Sequence, residues 1–403
     1  MSSQKEPAVP RLGQASTTRK IPFHRPSIGI AERDAVIEVL DSRWLTTGQK
    51  SLAFEEAVRA RVGSSFAVAV NSATAALHLI LEALGIRSGD EIVVPTYTFA
   101  ACGEVCRYLD ARPRLADVDP VTFELTVDTI EPQLRPETKA IMVVHFAGRL
   151  AEMEPILELA RSRGLAVIED AAHALPCSRS GRAAGTWGTA GALSFYATKT
   201  VTTGEGGMLL TDSAEIADRA RLMRLHGMSR DAWKRYSGGG SWYYEIEDAG
   251  FKYNLTDLAA AIGLVQLDRA EAMRAERERV ARRYGQAVEA AGIGELVELP
   301  AGPGPGEVHA RHLYPLRLNL DRVRATRAET IDRLAEAGIG TSVHFIPLHL
   351  HPYYRRAYGY APGDLPVAAR EYEREISMPI YPDLTDGEVD YVVERLAAVL
   401  RPR

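Results

Sequence analysis

Several patterns that would assign a class of protein are missing from this sequence. Its three cysteines, Cys102, Cys106 and Cys177, are odd in number and lack the close-set pairs that a zinc site or a dithiol redox site requires. No segment approaches the ~20 consecutive apolar residues of a membrane helix. The formal net charge of −5 provides no basic surface for a nucleic-acid backbone. We therefore expect a cytoplasmic protein with reduced thiols that binds neither nucleic acid nor membrane.

The first residues also lack a long apolar run. Residues 1–20 are mostly polar and contain proline, serine, threonine and charges of both signs. This composition does not indicate a signal peptide. We expect the segment to form a flexible N-terminal arm.

The sequence does contain a regular alternation of apolar strand patterns with helical stretches. The predicted strands are residues 66–70, 91–94, 114–118, 140–144, 165–168, 192–195 and 207–210. The first predicted helix runs from Thr74 to Leu84. Apolar strands separated by helices are typical of a largely parallel sheet that is covered on both faces. The predicted fold class is therefore α/β.

The second half of the chain has a different pattern. A long helical periodicity begins near Thr256 and ends at about Ala291, where glycines follow. A smaller α+β unit comes next, with a strand at 312–318, a helix at 327–337 and a strand at 340–345. We predict a large domain over residues 21–265, followed over residues 266–403 by a linking helix and a small C-terminal domain.

One segment is suited to bind a phosphate group. Asn71-Ser-Ala-Thr-Ala-Ala76 lies between a predicted strand and a predicted helix. Free backbone N–H groups and the positive end of a helix dipole face the same point there. Taken alone, the segment also fits the simpler interpretation that Thr74 is a helix cap or a first-turn residue.

Two further segments place reactive groups at the sheet edge where ligands of open α/β sheets bind. In Ile168-Glu-Asp-Ala-Ala-His173, Asp170 ends a strand, and a buried carboxylate needs a cationic partner such as a protonated pyridine nitrogen. In Ser194-Phe-Tyr-Ala-Thr-Lys199, Lys199 reaches the same edge, and an enclosed lysine of lowered pKa can form a Schiff base. The simpler alternatives are a helix cap for Asp170 and a solvated surface position for Lys199.

Together the three segments resemble the DegT/DnrJ/EryC1/StrS family of sugar aminotransferases. The resemblance extends from Ile21-Pro-Phe23 to Ser377-Met-Pro-Ile-Tyr-Pro382 and so covers nearly the whole chain. It implies an aspartate-aminotransferase-like fold of type I. It also implies pyridoxal 5′-phosphate (PLP) as the cofactor, which alternates with its amino form, PMP.

The resemblance implies roles for individual residues. Lys199 corresponds to the lysine that holds the cofactor and moves the proton between substrate carbon and cofactor. Asp170 corresponds to the partner of the pyridine nitrogen, and His173 to a contact of the cofactor hydroxyl. The implied phosphate ligands are Ala73, Thr74 and Ser194, and the residue implied to stack on the pyridine ring is Phe99.

The segment Gly250-Phe-Lys-Tyr-Asn-Leu-Thr-Asp257 resembles the stretch by which family members reach the cofactor phosphate of a second subunit. The resemblance therefore implies a homodimer with shared active sites. Many members have asparagine and arginine where this chain has Lys252 and Asn254. Both residues are candidate phosphate ligands, and the sequence leaves open which of them crosses the interface.

Two segments bear on the substrate. Residues 231–236 and 343–355 resemble the branch that aminates C4 of nucleotide-linked 4-keto sugars, as in aminoarabinose synthesis, and His344 corresponds to a substrate-site histidine of that branch. A metal site formed with His349 and His351 is the alternative. We expect no metal, because prolines intersperse these histidines, unlike two histidines on one helix face. The candidates for contacts with the substrate diphosphate are Arg230, Lys234, Arg235 and Arg355.

The resulting hypothesis is a ping-pong aminotransferase. An amino donor, L-glutamate, supplies the amino group, which is delivered to C4 of a nucleotide-diphosphate-linked 4-keto sugar. Amination of a 3-keto sugar or a ketocyclitol stays open. A sugar 3-dehydratase is disfavoured because a histidine characteristically replaces the lysine there, whereas this chain has Lys199. A PLP-binding regulatory protein without turnover is a further alternative, against which the intact Lys199 and Asp170 argue.

Overall fold

The computed structural model describes residues 19–229 and 243–400. The strands are β1 (Phe66–Val70), β2 (Glu91–Pro95), β3 (Arg112–Ala116), β4 (Thr138–Val144), β5 (Ala166–Asp170), β6 (Ser178–Arg179), β7 (Arg182–Ala183), β8 (Ala190–Ser194), β9 (Gly207–Thr211), β10 (Val297–Glu298), β11 (Glu307–Val308), β12 (Tyr314–Leu318) and β13 (Glu375–Met378). The helices are α1 (Ile30–Ser42), α2 (Gln49–Val62), α3 (Ala73–Ala83), α4 (Ala101–Tyr108), α5 (Val127–Ile130), α6 (Met153–Arg163), α7 (Ala214–Met223), α8 (Asp257–Asp268), α9 (Ala270–Ala290), α10 (Arg327–Glu336), α11 (Pro352–Tyr358), α12 (Pro366–Arg374) and α13 (Asp386–Leu400).

The larger sheet has the strand order β1-β9-β8-β5-β4-β2-β3. Its strands run parallel, except that β9 is antiparallel to both of its neighbours. Every residue of β2, β8 and β9 is buried, because apolar clusters pack on both faces of the sheet. Burial on both faces explains the continuous apolar runs in the sequence. The predicted α/β class with a mostly parallel sheet is confirmed.

Three adjacent parallel strands, β4, β5 and β8, end at one edge of this sheet. Their last residues are Val144, Asp170 and Ser194. The segments that follow the three strands therefore converge, although they are far apart in the sequence. This edge is the one at which open α/β sheets bind their ligands.

Two further sheets have three antiparallel strands each, namely β11-β6-β7 and, in the C-terminal part, β10-β12-β13. An apolar cluster beside β10-β12-β13 contains Tyr284 from α9, Leu316 from β12 and Val392 from α13. Ile21 belongs to this cluster and donates its N–H to the carbonyl of Gly338 at 2.9 Å. The start of the folded chain is thus fastened to its C-terminal part. The domain boundaries stay predictions.

The long helix predicted to begin near Thr256 is divided into α8 and α9, which meet at Arg269. The guanidinium of Arg269 donates to the hydroxyl of Ser27 at 2.9 Å and to the carboxylate of Glu32 at 2.5 Å. These contacts hold the junction against the segment that precedes α1. The division depends on tertiary contacts that a helical periodicity does not report.

The strand predicted at residues 340–345 does not form. The segment is held beside β13 by one bridge, in which Ser342 and Ser377 exchange main-chain hydrogen bonds of 3.1 and 2.8 Å. Two residues beyond the segment, Pro347 lacks the N–H that a longer ladder would need. The chain turns toward the sheet edge instead of continuing the pairing.

The structure also bears on the expectations from composition. No helix within residues 19–229 and 243–400 combines the length and the apolar character needed to cross a membrane. The three cysteines are buried and unpaired. The predicted arm lies, up to residue 18, outside the described residues.

Candidate active site

A cavity of about 500 Å³ lies at the sheet edge where β4, β5 and β8 end. The sequence-predicted residues that line it are Ala73, Thr74, Phe99, Asp170, His173, Ser194, Lys199 and His344. Further lining residues, which the sequence did not single out, include His24, Tyr196, His312 and Phe345. One cavity thus brings together the predicted cofactor and catalytic residues and His344, but not Lys252, Asn254 or Arg355.

The first turn of α3 presents N–H groups to this cavity. Ser72 is the N-cap, and its hydroxyl accepts a hydrogen bond from the N–H of Ala75 at 3.1 Å. Thr74 is therefore a first-turn residue and not the cap. The N–H groups of Ala73 and Thr74 donate to no other group in the described part of the chain. Free N–H groups at a helix start suit an anion such as a phosphate.

The first residue of β9 allows a close approach to this turn. A Cβ on Gly207 would lie 2.3 Å from the main-chain carbonyl carbon of Ser72, so only glycine fits there. Gly207 pairs with Ser194, the last residue of β8. The pairing brings the hydroxyl-bearing Ser194 next to the start of α3 on the cavity wall.

The carboxylate of Asp170 is held from two sides at the end of β5. Its Oδ1 accepts the N–H of Ala172 at 3.0 Å, and its Oδ2 accepts the thiol of Cys102 at 3.0 Å. The hydroxyl of Thr98 lies 3.1 Å from the same sulfur. Cys102 reaches Asp170 from α4, and no spacing in the sequence would have predicted this contact. The carboxylate is buried yet lines the cavity.

The residue before Asp170, Glu169, anchors the end of β5 on the face that does not line the cavity. The carboxylate of Glu169 accepts the N–H groups of Trp187 and Gly188 at 2.5 and 2.6 Å, and it lies 2.7 Å from Nε2 of His145. His145 donates its own N–H to the carbonyl of Asp170 at 3.1 Å. Glu169 is thus fully used as a structural residue, which leaves Asp170 as the acidic residue of the pair that faces the cavity.

Lys199 projects into the cavity after β8. Its Nζ lies 3.4 Å from Nε2 of His312. Burial lowers the pKa of Lys199 to about 8, although the negative charge of Asp170 acts in the opposite direction. A lysine must be neutral to attack a carbonyl group, so this environment prepares Lys199 for covalent attachment of an aldehyde.

Histidines surround Lys199. The rings of His173 and His312 lie 4.5 Å apart, and burial together with the charge of Lys199 holds the pKa of each well below the ordinary value. Burial also lowers the pKa of His24 to about 4. The Nδ1 atoms of His173 and His312 are buried and have no partner among the described residues. Buried unpaired polar atoms at a cavity point to a ligand that completes them.

Aromatic rings form another part of the wall. Phe99 is 62% exposed although it is a large apolar residue, because its ring faces the cavity opening. Its ring centroid lies 6.1 Å from that of Phe345, which in turn stacks on His173 at 5.9 Å. These rings give the wall an apolar surface that can contact a planar aromatic ligand.

His344 lines the cavity from the C-terminal part of the chain, and its Nδ1 lies 2.8 Å from the hydroxyl of Ser377. His349 is instead buried outside the cavity, with its Nδ1 2.8 Å from the hydroxyl of Thr96. No group of three or more possible metal ligands occurs within the described ranges. The metal alternative raised for His344, His349 and His351 therefore gains no support.

Lys252 and Asn254 lie outside the cavity in the single chain. Nζ of Lys252 is 2.5 Å from Oδ1 of Asn254, whose Nδ2 donates to the hydroxyl of Thr47 at 2.7 Å. The segment between them adjoins β1, because the carbonyl of Tyr253 accepts the N–H of Asn71 at 2.7 Å. Their reach into a second subunit stays a prediction.

The residues predicted to contact a diphosphate have different outcomes. The segment 231–236, with Arg230, Lys234 and Arg235, lies outside the described residues. Arg355 lies away from the cavity, at a surface hollow that it shares with Arg356 and Tyr360. Of these four cations, only Arg355 lies in the described part of the chain, and it does not line the cavity.

A mostly parallel α/β sheet with a lysine, a carboxylate and a phosphate-type helix start around one cavity defines the class of PLP-dependent enzymes. The chain matches the DegT/DnrJ/EryC1/StrS aminotransferase family over residues 26–397, and it belongs to that family.

Similar proteins agree with this assignment. The uncharacterized protein MJ1066 of Methanocaldococcus jannaschii is 50% identical over 94% of this chain and 97% of its own. The spore coat polysaccharide biosynthesis protein SpsC of Bacillus subtilis is 45% identical over 94% of this chain and 97% of its own. The structure of Spr1654 from Streptococcus pneumoniae, solved in PLP and PMP forms, has a TM-score of 0.87 at 31% identity and covers 94% of this chain and 98% of that one.

The cofactor of this family member is PLP, and the residues of the cavity fit it. The free N–H groups of α3 match a phosphate, Asp170 matches a pyridine nitrogen, and Lys199 supplies the amine. The unpaired Nδ1 of His173 provides a buried polar atom for a further contact. Each cofactor feature thus has a counterpart on the cavity wall.

Proposed function

We propose that this protein transfers an amino group from L-glutamate to C4 of a nucleotide-diphosphate-linked 4-keto sugar. The observation that carries the proposal is the one cavity in which Lys199 and Asp170 lie together with His344. The first two residues serve the cofactor, whereas His344 adds a polar group that a sugar hydroxyl can bind. The name of the relative SpsC, which refers to polysaccharide biosynthesis, accords with a sugar substrate.

In this proposal Lys199 and Asp170 perform the chemistry common to both half-reactions. PLP, when bound, supplies an electron sink for charge that develops on the substrate carbon. Lys199 holds the cofactor and then carries the proton, and its pKa of about 8 leaves part of the amine neutral near pH 7. Asp170 keeps the pyridine nitrogen protonated through its negative charge.

The remaining cavity residues position the cofactor. Ala73 and Thr74 bind its phosphate through their N–H groups, and Ser194 adds a hydroxyl donor. His173 contacts the ring hydroxyl through its buried Nδ1. Phe99 covers the face of the ring.

We also propose a homodimer, located in the cytoplasm, in which Lys252 or Asn254 reaches the phosphate of the partner's cofactor. Apolar side chains on α1 support a protein interface, since Ile30 is 68% exposed and Leu40 is 51% exposed. The segment that carries Lys252 and Asn254 adjoins Asn71, the residue before the N-cap of α3. Sedimentation of the holoenzyme tests the dimer.

The experiment that tests the substrate is a panel of nucleotide-linked amino sugars offered in the reverse direction. The absorbance of the bound cofactor should change with 4-amino sugars and with L-glutamate, and free amino sugars should react poorly, because the nucleotide supplies binding energy that positions the reacting carbon. A response to 3-amino sugars or aminocyclitols alone would replace the C4 assignment. The Lys199→Ala variant is the control that should not respond.

A further inference from the structure

Strand β13 carries two polar residues that the catalytic roles above do not use. Glu375 and Ser377 are both fully buried, and as residues i and i+2 of a strand they point to the same face. The hydroxyl of Ser377 donates to Oε1 of Glu375 at 2.5 Å and lies 2.8 Å from Nδ1 of His344. Oε2 of Glu375 accepts the N–H of His344 at 3.0 Å. The carboxyl group therefore holds both the main chain and, through Ser377, the ring of His344.

The number of protons shared by the hydrogen bonds among Glu375, Ser377 and His344 restricts which atom His344 presents to the cavity as a donor or an acceptor. Ser377 has a single hydroxyl proton. When it donates that proton to the carboxylate of Glu375, its oxygen accepts from Nδ1 of His344, and Nε2 is left as an acceptor. When Glu375 is a neutral acid, it can donate to Ser377, which then donates to Nδ1, and Nε2 carries the proton. Nε2 has no hydrogen-bond partner within the described part of the chain.

We propose that Glu375 and Ser377 are positioning residues that set which ring nitrogen of His344 carries the proton, and thereby whether His344 accepts from or donates to a substrate hydroxyl. The substrate part rests on the proposed function. The assignment of the proton within the relay, defined as Glu375, Ser377 and His344, rests on the hydrogen bonds alone.

The charges around the relay allow both proton positions. Burial raises the pKa of Glu375 to about 8, whereas burial and the charge of Lys199 lower the pKa of His344 to about 4. The ring is therefore neutral in the range where Glu375 titrates. The other titratable or charged groups that act on the relay or on its neighbours are Tyr97, Arg327 and Glu371 near Glu375, and His173, His312 and Lys199 near His344.

The direct test measures the His344 ring nitrogens by NMR in holoenzyme labelled with ¹⁵N-histidine, with the signal assigned by its loss in His344→Ala. At about pH 6.5 the proton should be on Nε2, and at about pH 9.5 on Nδ1, on either side of the pKa of Glu375 near 8. Glu375→Gln and Ser377→Ala should each abolish this change. Ser342→Ala is the matched control, because Ser342 pairs with Ser377 through main-chain bonds only and should keep the change.

Kinetics test the consequence for the substrate, with UDP-4-amino-4-deoxy-L-arabinose and L-glutamate as the two amino donors. Ser377→Ala should slow the sugar half-reaction about tenfold and the glutamate half-reaction less than about twofold. Ser377→Thr, which keeps the hydroxyl, should restore the rate.

Each outcome decides one part of the inference. A His344 proton position that is the same at both pH values, or that still changes in both relay variants, overturns the relay. If Ser377→Ala slows both half-reactions equally, the role of the relay toward the substrate is overturned, whereas the NMR result for the position of the proton is not affected. Absence of any reaction between the wild-type enzyme and every 4-amino sugar nucleotide of the panel described above contradicts the proposed function, and the NMR result still decides the relay.

Discussion

The two walls of the cavity are built in different ways. The sheet wall, which consists of the first turn of α3 and residues Asp170, Ser194 and Lys199, follows directly from strand ends and one helix start. The C-terminal wall consists of His312, His344 and Phe345. His312 lies two residues before β12, and His344 and Phe345 lie in a loop. Main-chain geometry fixes the first wall. Side-chain hydrogen bonds, as between His344 and Ser377, fix the second.

This difference suggests a division of labour. A wall fixed by strand ends keeps its geometry when side chains elsewhere change, which suits the cofactor chemistry shared by both half-reactions. A wall held by a few side chains can be altered without disturbing the sheet, which suits selection of the substrate. Substitutions on the sheet wall should therefore impair both half-reactions, and those on the C-terminal wall should impair one.

The largest effect is expected on the sheet wall, from Lys199→Ala. The change removes the amine that holds the cofactor and moves the proton, so turnover should fall by about 10⁴-fold or more. The circular dichroism spectrum should be unchanged, because Lys199 lies on the cavity wall and not in a strand. Borohydride reduction of the wild-type holoenzyme followed by peptide mapping checks the assignment. A pyridoxyl label on a different lysine contradicts it.

Asp170→Asn should be the next most damaging change. The amide keeps the size of the side chain and its contact with the N–H of Ala172 but cannot hold a pyridine nitrogen protonated. We expect the variant to bind PLP and to lose about 10²- to 10³-fold in both half-reactions. Cofactor absorbance after dialysis measures the binding. A near wild-type rate in either half-reaction would separate Asp170 from the shared chemistry.

The sheet wall was largely predictable from the sequence, because its residues belong to contiguous motifs at the ends of recognisable strands. Ile168–His173 and Ser194–Lys199 each combine a strand end with a reactive side chain, and parallel strands necessarily bring such ends together. The mostly parallel sheet was predictable for the same reason, since its strands appear as uninterrupted apolar runs.

The C-terminal wall was only partly predictable. His312, on this wall, and His24, which lines the cavity from the segment before α1, both lie outside any motif, and tertiary packing alone brings them to the cavity. The contact of Cys102 with Asp170 is invisible for the same reason, because a buried cysteine on a helix looks like an ordinary core residue. Residues 340–345 were predicted as a strand, whereas the segment makes one bridge to β13 and turns to the cavity.

On the C-terminal wall, His344→Ala should affect one half-reaction. We expect the sugar half-reaction to slow about 10- to 100-fold and the glutamate half-reaction to change by less than about threefold, because glutamate carries no hydroxyl for the ring to bind. His351→Ala is the matched control, since it removes a nearby histidine that does not line the cavity. Rapid-mixing absorbance of each half-reaction gives the two rates. An equal loss in both would assign His344 to the cofactor machinery and remove the contrast between the walls.

The smallest expected effect concerns Cys102, whose side chain lies behind the sheet wall and contacts Asp170. It tests whether main-chain geometry alone fixes that wall. Cys102 and Cys106 both lie on α4 and are both fully buried, but only Cys102 reaches Asp170. Burial, with the charge of Asp170, holds the pKa of the Cys102 thiol well above its ordinary value, so the sulfur keeps its proton and acts as a donor.

A thiol is a weak donor, so Cys102→Ala should reduce kcat only about two- to fivefold, by loosening the orientation of the Asp170 carboxylate. Cys106→Ala removes a thiol of equal burial whose sulfur contacts the carbonyl of Cys102 and not Asp170. It should leave kcat unchanged, and it should lower Tm by about as much as Cys102→Ala does, because each variant leaves a cavity of similar size. Cys102→Ser, which restores a donor at the same position, should recover the rate. The pH dependence of the bound-cofactor absorbance should move in Cys102→Ala and stay fixed in Cys106→Ala, because only the first change removes a hydrogen bond to the Asp170 carboxylate that faces the pyridine nitrogen. If the two alanine variants behave alike in kcat and in this titration, the contact with Cys102 contributes only to packing, and main-chain geometry alone accounts for the sheet wall.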